Sequence, residues 1–321
     1  MELSIKRSLK DLKKPRQFFS TRRGRETTSF FSFISPWLLG FIFLSIIPLG
    51  LGLAASFSNY DGLNLASIKF VGLKQYERAF ADPEFYFSLK RTFIFTVVSV
   101  PLSLILSFGI AMLLNGKVFG REFFRTAWYL PSVLPIVAAA WVWKLFGSTN
   151  TGLLNSLISL VHPGTALQWL RQYGTYTLVA YTLWTGAGYG MVIFLAGLQG
   201  IPRELLEAAA IDGANRWRTF FSVTLPLMTP VLFFQLVMGI IGALQIMQEA
   251  MLLAETGAGM QKVAEVPRAN YMLMVHIYAT SFFQNNMAFG IAMLWILFVL
   301  ILMLTLLIFR SSRYWVYYEV D

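Results

Sequence analysis

The chain has 321 residues, 56% of them hydrophobic and 13% charged, with 29 Phe, no Cys and a mean hydropathy of +0.61. A soluble domain of this length cannot hide so much apolar surface, so its solvent is lipid, and the missing Cys exclude structural disulfides and thiolate metal sites. The net charge of +10 does not point to nucleic acid, because it sits largely in one flank, where anionic headgroups and the topology rule for Lys and Arg account for it.

In chain order, residues 1–35 form a basic leader with nine Lys and Arg. The apolar stretch that follows, 36–57, is longer than the roughly 7–15 residues of a secretory signal core and is predicted to be a first span. Five more runs of about the 20 residues needed to cross a ~30 Å hydrocarbon layer lie near 92–114, 126–146, 175–198, 227–252 and 287–309. Pro48, Pro101, Pro131 and Pro135 fall inside these runs, which membrane helices tolerate. The expected architecture is therefore all-α and integral to the membrane: a leader at 1–35, a six-span domain at 36–310 and a tail at 311–321.

With six spans both termini share a side. The leader, the loops at 115–125 and 199–226 and the C-terminal end from Arg310 onward hold nine, three, three and two basic residues, against eight in the opposite loops. Lys and Arg favour the cytoplasmic face, so both termini and the 199–226 loop are expected there, in the cytoplasmic (inner) membrane of a prokaryote.

The span cores hold no Asp, Glu, Lys, Arg or His; only Lys144 and Glu249 stand at ends. A proton- or sodium-coupled carrier or an intramembrane hydrolase is expected to keep such a group near the midplane. His162 and His276 fit no HExxH pattern, so no metal site is expected, and His276 reads as an interfacial or internally satisfied histidine. "LLNGKVFG" at 113–120 lacks the first Gly and the terminal Ser or Thr of a phosphate loop. Energy for uphill transport must therefore enter through a partner.

Between the fourth and fifth spans lies "IPRELLEAAAIDGANRWRTFFSVTLPLMTP", residues 201–230. Pro202 suits a first helical turn and Gly213 a left-handed stop just past the end, with Glu204 and Glu207 near the positive end of the helix dipole. Glu204, Glu207 and Ile211 share a face, and Ala208 and Ala209 leave an adjoining patch almost free of side-chain bulk. Such a tip fits a groove on another protein, while on composition alone an interfacial connecting helix serves equally well.

The pattern separates the two. Glu207, Ala208, Ala209, Gly213, Val223, Leu225 and Pro226 resemble the EAA motif of membrane subunits of ATP-binding-cassette importers, and Asp212, Ala214, Trp217, Phe220 and Pro230 match its carbohydrate-uptake branch. "FVGLKQYERAFADPEFYFSLKRTFIFT", "RTAWYLPSVLPIVAAAWVWKLF" and "WTGAGYGMVIFLAGLQGIP" are similar to their counterparts in that branch, so the likeness runs over roughly 30–315. It implies six transmembrane helices of the type I importer kind, with the EAA helix as a coupling helix seated in a cytoplasmic ATPase. By this resemblance Glu207, Ala208, Ala209, Asp212, Gly213 and Ala214 make that contact, Glu207 pairing with a base of the ATPase. The chain itself is then no enzyme and carries no cofactor, ATP and Mg being bound by the ATPase. The implied partners are a second homologous permease, two ATPase subunits, an extracytoplasmic solute-binding protein and membrane lipid, with no nucleic acid.

After the fifth span the likeness weakens, with Met247 and Gln248 at an aromatic-Asp pair and Gly257, Ala258 and Gly259 at a Gly-rich turn. By position in the branch, Thr185 and Tyr189 in the fourth span and Gln245 and Gln248 in the fifth are the candidate sugar contacts, each pair spaced to share a helix face. Helix-to-helix hydrogen bonding is the competing role for these four. An autonomous secondary carrier, or an importer of a non-sugar solute such as a glycerol phosphate, is the alternative function.

Overall fold

The computed structural model describes residues 22–63, 68–116, 118–164, 166–254 and 266–317; the turn expected at Gly257, Ala258 and Gly259 and most of the basic leader lie outside them. The described chain is helical, with no strand beyond an isolated bridge between Ser58 and Phe70. It divides into two units, Met1–Ala55 and Ser56–Asp321, taken separately here.

In the first unit, α1 (Arg22–Phe41) passes through a π-helical turn (Ile42–Ile46) into α2 (Ile47–Ser56), and Ser29–Ser56 is apolar and long enough to cross a membrane. Pro36 inside α1 has no N–H for the carbonyl of Ser32. The Ser35 hydroxyl donates to that oxygen instead, at 3.0 Å, so the helix continues through the proline.

The second unit opens with α3 (Lys74–Ala81) and α4 (Pro83–Asn115). Asp82 caps α4, its side chain accepting from the Glu84 N–H at 2.9 Å, and Pro83 takes the first helical position, so the helix starts well before the expected 92. The run expected as one span at 126–146 is two helices, α5 (Arg121–Val133) and α6 (Ile136–Gly147), bent by 101°. The break is local: Pro135 disfavours the helical conformation at the residue before it, and Leu134 is extended (φ −66°, ψ 138°). After α7 (Leu153–Ser159) come α8 (Gly174–Gln199), α9 (Arg203–Ile211) and α10 (Arg216–Thr219). A π-helical turn (Phe220–Thr224) leads from α10 into α11 (Leu225–Leu244).

The fifth expected span, 227–252, also divides. Its helix stops at Leu244, residues 245–247 unwind, and α12 (Gln248–Leu253) starts afresh, so Gln245 and Gln248 do not share a helix face as the spacing predicted. A 3₁₀ turn (Arg268–Asn270), α13 (Leu273–Tyr278), a π-helical turn (Ala279–Phe283) and α14 (Met287–Ser312) complete the unit. Across the two units, five described helices are long and apolar enough to span a bilayer, or six if the bent α5–α6 pair counts as one.

α4 and α8 run parallel. At one end the Leu273 N–H donates to the Thr92 hydroxyl of α4 at 2.8 Å, and the Thr175 hydroxyl of α8 donates to the Ala269 carbonyl. At the other end Ile110, Ala111 and Leu114 of α4 pack with Leu195 and Leu198 of α8 and Met228 of α11. The helices approach closely where small residues allow it: a Cβ on Gly190 would lie 2.6 Å from the Ser107 hydroxyl of α4, and one on Gly188 would lie 2.2 Å from the Trp128 carbonyl of α5.

Candidate functional site

Two features stand out, a short polar helix at one end of the bundle and a cavity among the long helices. The helix is α9. Extended Pro202 opens it, and it closes in a Schellman motif: Ala214 N–H donates to the Ala209 carbonyl (2.9 Å) and Gly213 N–H to the Ala210 carbonyl (3.1 Å). This closure puts the residue past the cap in the left-handed region, and Gly213 has φ +75°. Asn215 then caps α10, its side chain accepting from Arg218 N–H at 2.8 Å.

Of α9, Leu206 turns inward and packs against the cluster around Leu198 and Met228. Glu204, Glu207, Ala208, Asp212 and Gly213 are exposed, Ala209 and Ala214 are half-buried, and Ile211 and Trp217 stand out at 87% and 73% exposure. Among the described residues Glu207 and Asp212 make no ion pair, so their charges are left to water or to another molecule. Near the base of α9, Gln199 meets α5: with its carboxamide oxygen toward them, it accepts from Arg125 Nη2 at 3.1 Å and Arg121 Nη2 at 3.3 Å.

The cavity, of about 710 Å³, lies between α4, α8, α11 and the unwound segment that follows. That size is within the ~300–1,000 Å³ of small-ligand sites. Thr185, Tyr189, Gln245 and Gln248 all line it. The Thr185 hydroxyl donates back to the Tyr181 carbonyl at 3.1 Å, leaving its lone pairs as acceptors. Tyr189 is 59% exposed toward open space, and among the described residues neither it nor the two carboxamides makes a side-chain hydrogen bond. Helix-to-helix bonding therefore does not occupy them. What brings Gln245 and Gln248 together is the break in the chain, not the helical spacing read from the sequence.

Spacing could not single out two further groups. Gln235 of α11 joins the lining, and Glu249 is the carboxylate among the lining residues. The far end of the bundle holds a polar cluster: His276, 4% exposed, has Nε2 3.3 Å from Asp82 Oδ2 and Nδ1 2.9 Å from the Tyr271 hydroxyl. A neutral imidazole meets both, donating from Nε2 to the carboxylate and accepting at Nδ1, so His276 is satisfied internally. Arg268 pairs with Glu84 beside it. No cluster of three or more metal-ligating side chains occurs among the described residues.

The family described as "Binding-protein-dependent transport system inner membrane component" matches residues 88–316, and the chain belongs to it. The chain is 36% identical to the probable ABC transporter permease protein YesP of Bacillus subtilis (strain 168), covering 90% of this chain and 92% of that one. It is 30% identical to the arabinooligosaccharides transport system permease protein AraP of Halalkalibacterium halodurans, over 89% and 90%. It is also 30% identical to a probable starch degradation products transport system permease protein, AmyD, of Thermoanaerobacterium thermosulfurigenes, over 86% and 90%. Among solved structures, a chain of a bacterial alginate ABC transporter in complex with an alginate pentasaccharide-bound periplasmic protein superposes with a TM-score of 0.76 at 20% identity, covering 94% of this chain and 98% of that one. The chain is thus a multi-pass permease of a binding-protein-dependent ABC transport system, with the fold of that solved transporter.

Proposed function

We infer that this permease forms half of the translocation pore of an ATP-driven importer for a sugar or oligosaccharide. The second half comes from a homologous permease, and a solute-binding protein delivers the cargo. Two cytoplasmic ATPase subunits hold ATP and Mg²⁺, and this chain has no catalytic centre. The observation that carries the reading is α9, whose Glu204, Glu207, Ala208 and Ala210 are exposed at the end of the bundle while Leu206 packs inward. A helix clamped in a cleft of the ATPase transmits closure of the nucleotide dimer to the spans as rigid-body motion.

The six-crossing topology is supported by chain direction. α4 and α8 are parallel, so residues 118–173 must cross from one end of the bundle to the other, and the bent α5–α6 pair is that crossing. The Lys and Arg bias then puts both termini and α9 in the cytoplasm. The cavity lining of hydroxyls, carboxamides and Tyr189 offers the hydrogen bonders and the aromatic face that a sugar needs.

The test is to purify the tagged chain from its native membrane in mild detergent and identify what accompanies it. A second six-span permease and an ATPase are expected. A chain that emerged alone and moved solute in liposomes without ATP would overturn the reading in favour of a secondary carrier.

A further inference from the structure

The cavity's polar lining is uneven in charge. α4 contributes the hydroxyls of Ser99, Ser103 and Ser107, and α8 those of Thr182, Thr185 and Tyr189. The carboxamides come from Gln235, Gln245 and Gln248, and the other apolar and thioether groups carry no charge. Among the described residues that line it, Glu249 is the one acidic side chain, and no Lys, Arg or His stands beside it. Glu249 makes no ion pair and no side-chain hydrogen bond among the described residues. Apolar helices wall part of the space, which stays open to solvent on one side, so the field of that carboxylate is screened less than at a fully exposed surface and more than in a sealed interior.

We propose that Glu249 is a charge filter: the solute that crosses this cavity is uncharged or carries an amino group, and anionic glycans and sugar phosphates are repelled. The proposal rests on the importer reading and narrows its substrate class. The solved alginate transporter shares the fold, and its cargo is an acidic polysaccharide; the described lining here holds an acid and no base, which points to a different class of solute. A carboxylate or phosphate passing Glu249 would meet like charge with no base to pair with among the described lining residues, whereas a hydroxyl can donate to the same carboxylate and an ammonium can pair with it.

Because the chain has no Cys, the field can be measured without knowing the cargo. In the assembled complex, Gln248→Cys is reacted with a cationic trimethylammonium-ethyl and an anionic sulfonatoethyl methanethiosulfonate, and modification is read from the intact mass of this subunit. The control is Leu160→Cys, where the native side chain is 80% exposed and residues 149–170 hold no Asp, Glu, Lys or Arg. The cation-to-anion rate ratio is expected to be at least about tenfold higher at position 248 than at 160, and Glu249→Gln is expected to abolish the difference. Equal ratios at the two positions, or a ratio that survives Glu249→Gln, would overturn the filter. So would a ratio that is high in the isolated subunit and flat in the complex, which would place a compensating cation on the second permease.

Transport gives the second reading. In proteoliposomes with ATP, Glu249→Gln is expected to raise uptake of an aldobiouronic acid relative to the neutral disaccharide of the same linkage by about tenfold. The binding protein's own preference cancels between variant and parent. A complex that moves no glycan while the reagent ratio holds would sink the sugar assignment and leave the filter standing.

Discussion

At the scale of single residues, Glu207 and His276 are opposites. Glu207 is exposed with no ion pair among the described residues, so Glu207→Lys removes nothing from the interior. Expression and membrane insertion are expected to stay at the parental level, while ATP hydrolysis by the complex no longer drives uptake. Uptake at the parental rate in that variant would contradict docking through α9.

His276 is buried, and burial outweighs the attraction of Asp82, so the imidazole is held below its usual pKa of about 6.5. Burial also pushes the Tyr271 phenol up, with Glu84 adding to the effect, which keeps its proton available for His276 Nδ1. As pH falls below ~6.5 the unfolded chain takes up a proton that the folded chain refuses, so stability is full above that value and is lost as pH falls toward the folded pKa. The unfolding midpoint of the purified complex is expected to drop across that window. In His276→Gln that part of the slope should vanish.

At the scale of elements, prolines and their neighbours decide where helices bend or continue. At Pro36 and Pro230 the preceding hydroxyl fills the gap: Ser35 donates to the Ser32 carbonyl, and Thr229 donates to the Pro226 carbonyl at 2.6 Å. Both helices run on. A preceding hydroxyl is not required, since α4 runs on through Pro101 after Val100; at Pro135 the preceding Leu134 is extended and the chain turns by 101°. Thr229 also accepts from the Tyr317 N–H at 2.9 Å, tying the segment after α14 to α11. Thr229→Val should therefore cost about 1 kcal/mol and Thr229→Ser much less, since membrane hydrogen bonds are individually modest. Thermal unfolding in detergent would check both.

The second unit is organised by the parallel pair α4 and α8, with α9 at one end and the Asp82–His276 cluster at the other. If the bent α5–α6 pair crosses the bilayer, the loops on either side of it face opposite compartments. Phe119→Cys is expected to react with an impermeant thiol reagent only from the cytoplasmic side and Asn150→Cys only from outside, in sealed vesicles of each orientation. Labelling of both from one side would overturn the assignment of that crossing to the α5–α6 pair.

Local physics explains what could be read in advance. Long uncharged runs, the bias of Lys and Arg, and the Pro202–Gly213 punctuation around an acidic helix act over a few residues or a single span. The sequence by itself thus determined an all-helical membrane permease with a polar helix between its fourth and fifth long apolar runs. Tertiary structure decided what depends on distant groups meeting. Asp82 and His276 are 194 residues apart in the chain and touch only after folding. Gln245, Gln248 and Glu249 came to face Thr185 and Tyr189 because the fifth helix unwinds after Leu244, which no helical periodicity could show. Whether Glu249 stands opposed by a cation is a property of the folded cavity, since a charge lining it is governed by whatever the fold brings within a few ångströms and not by its neighbours along the chain.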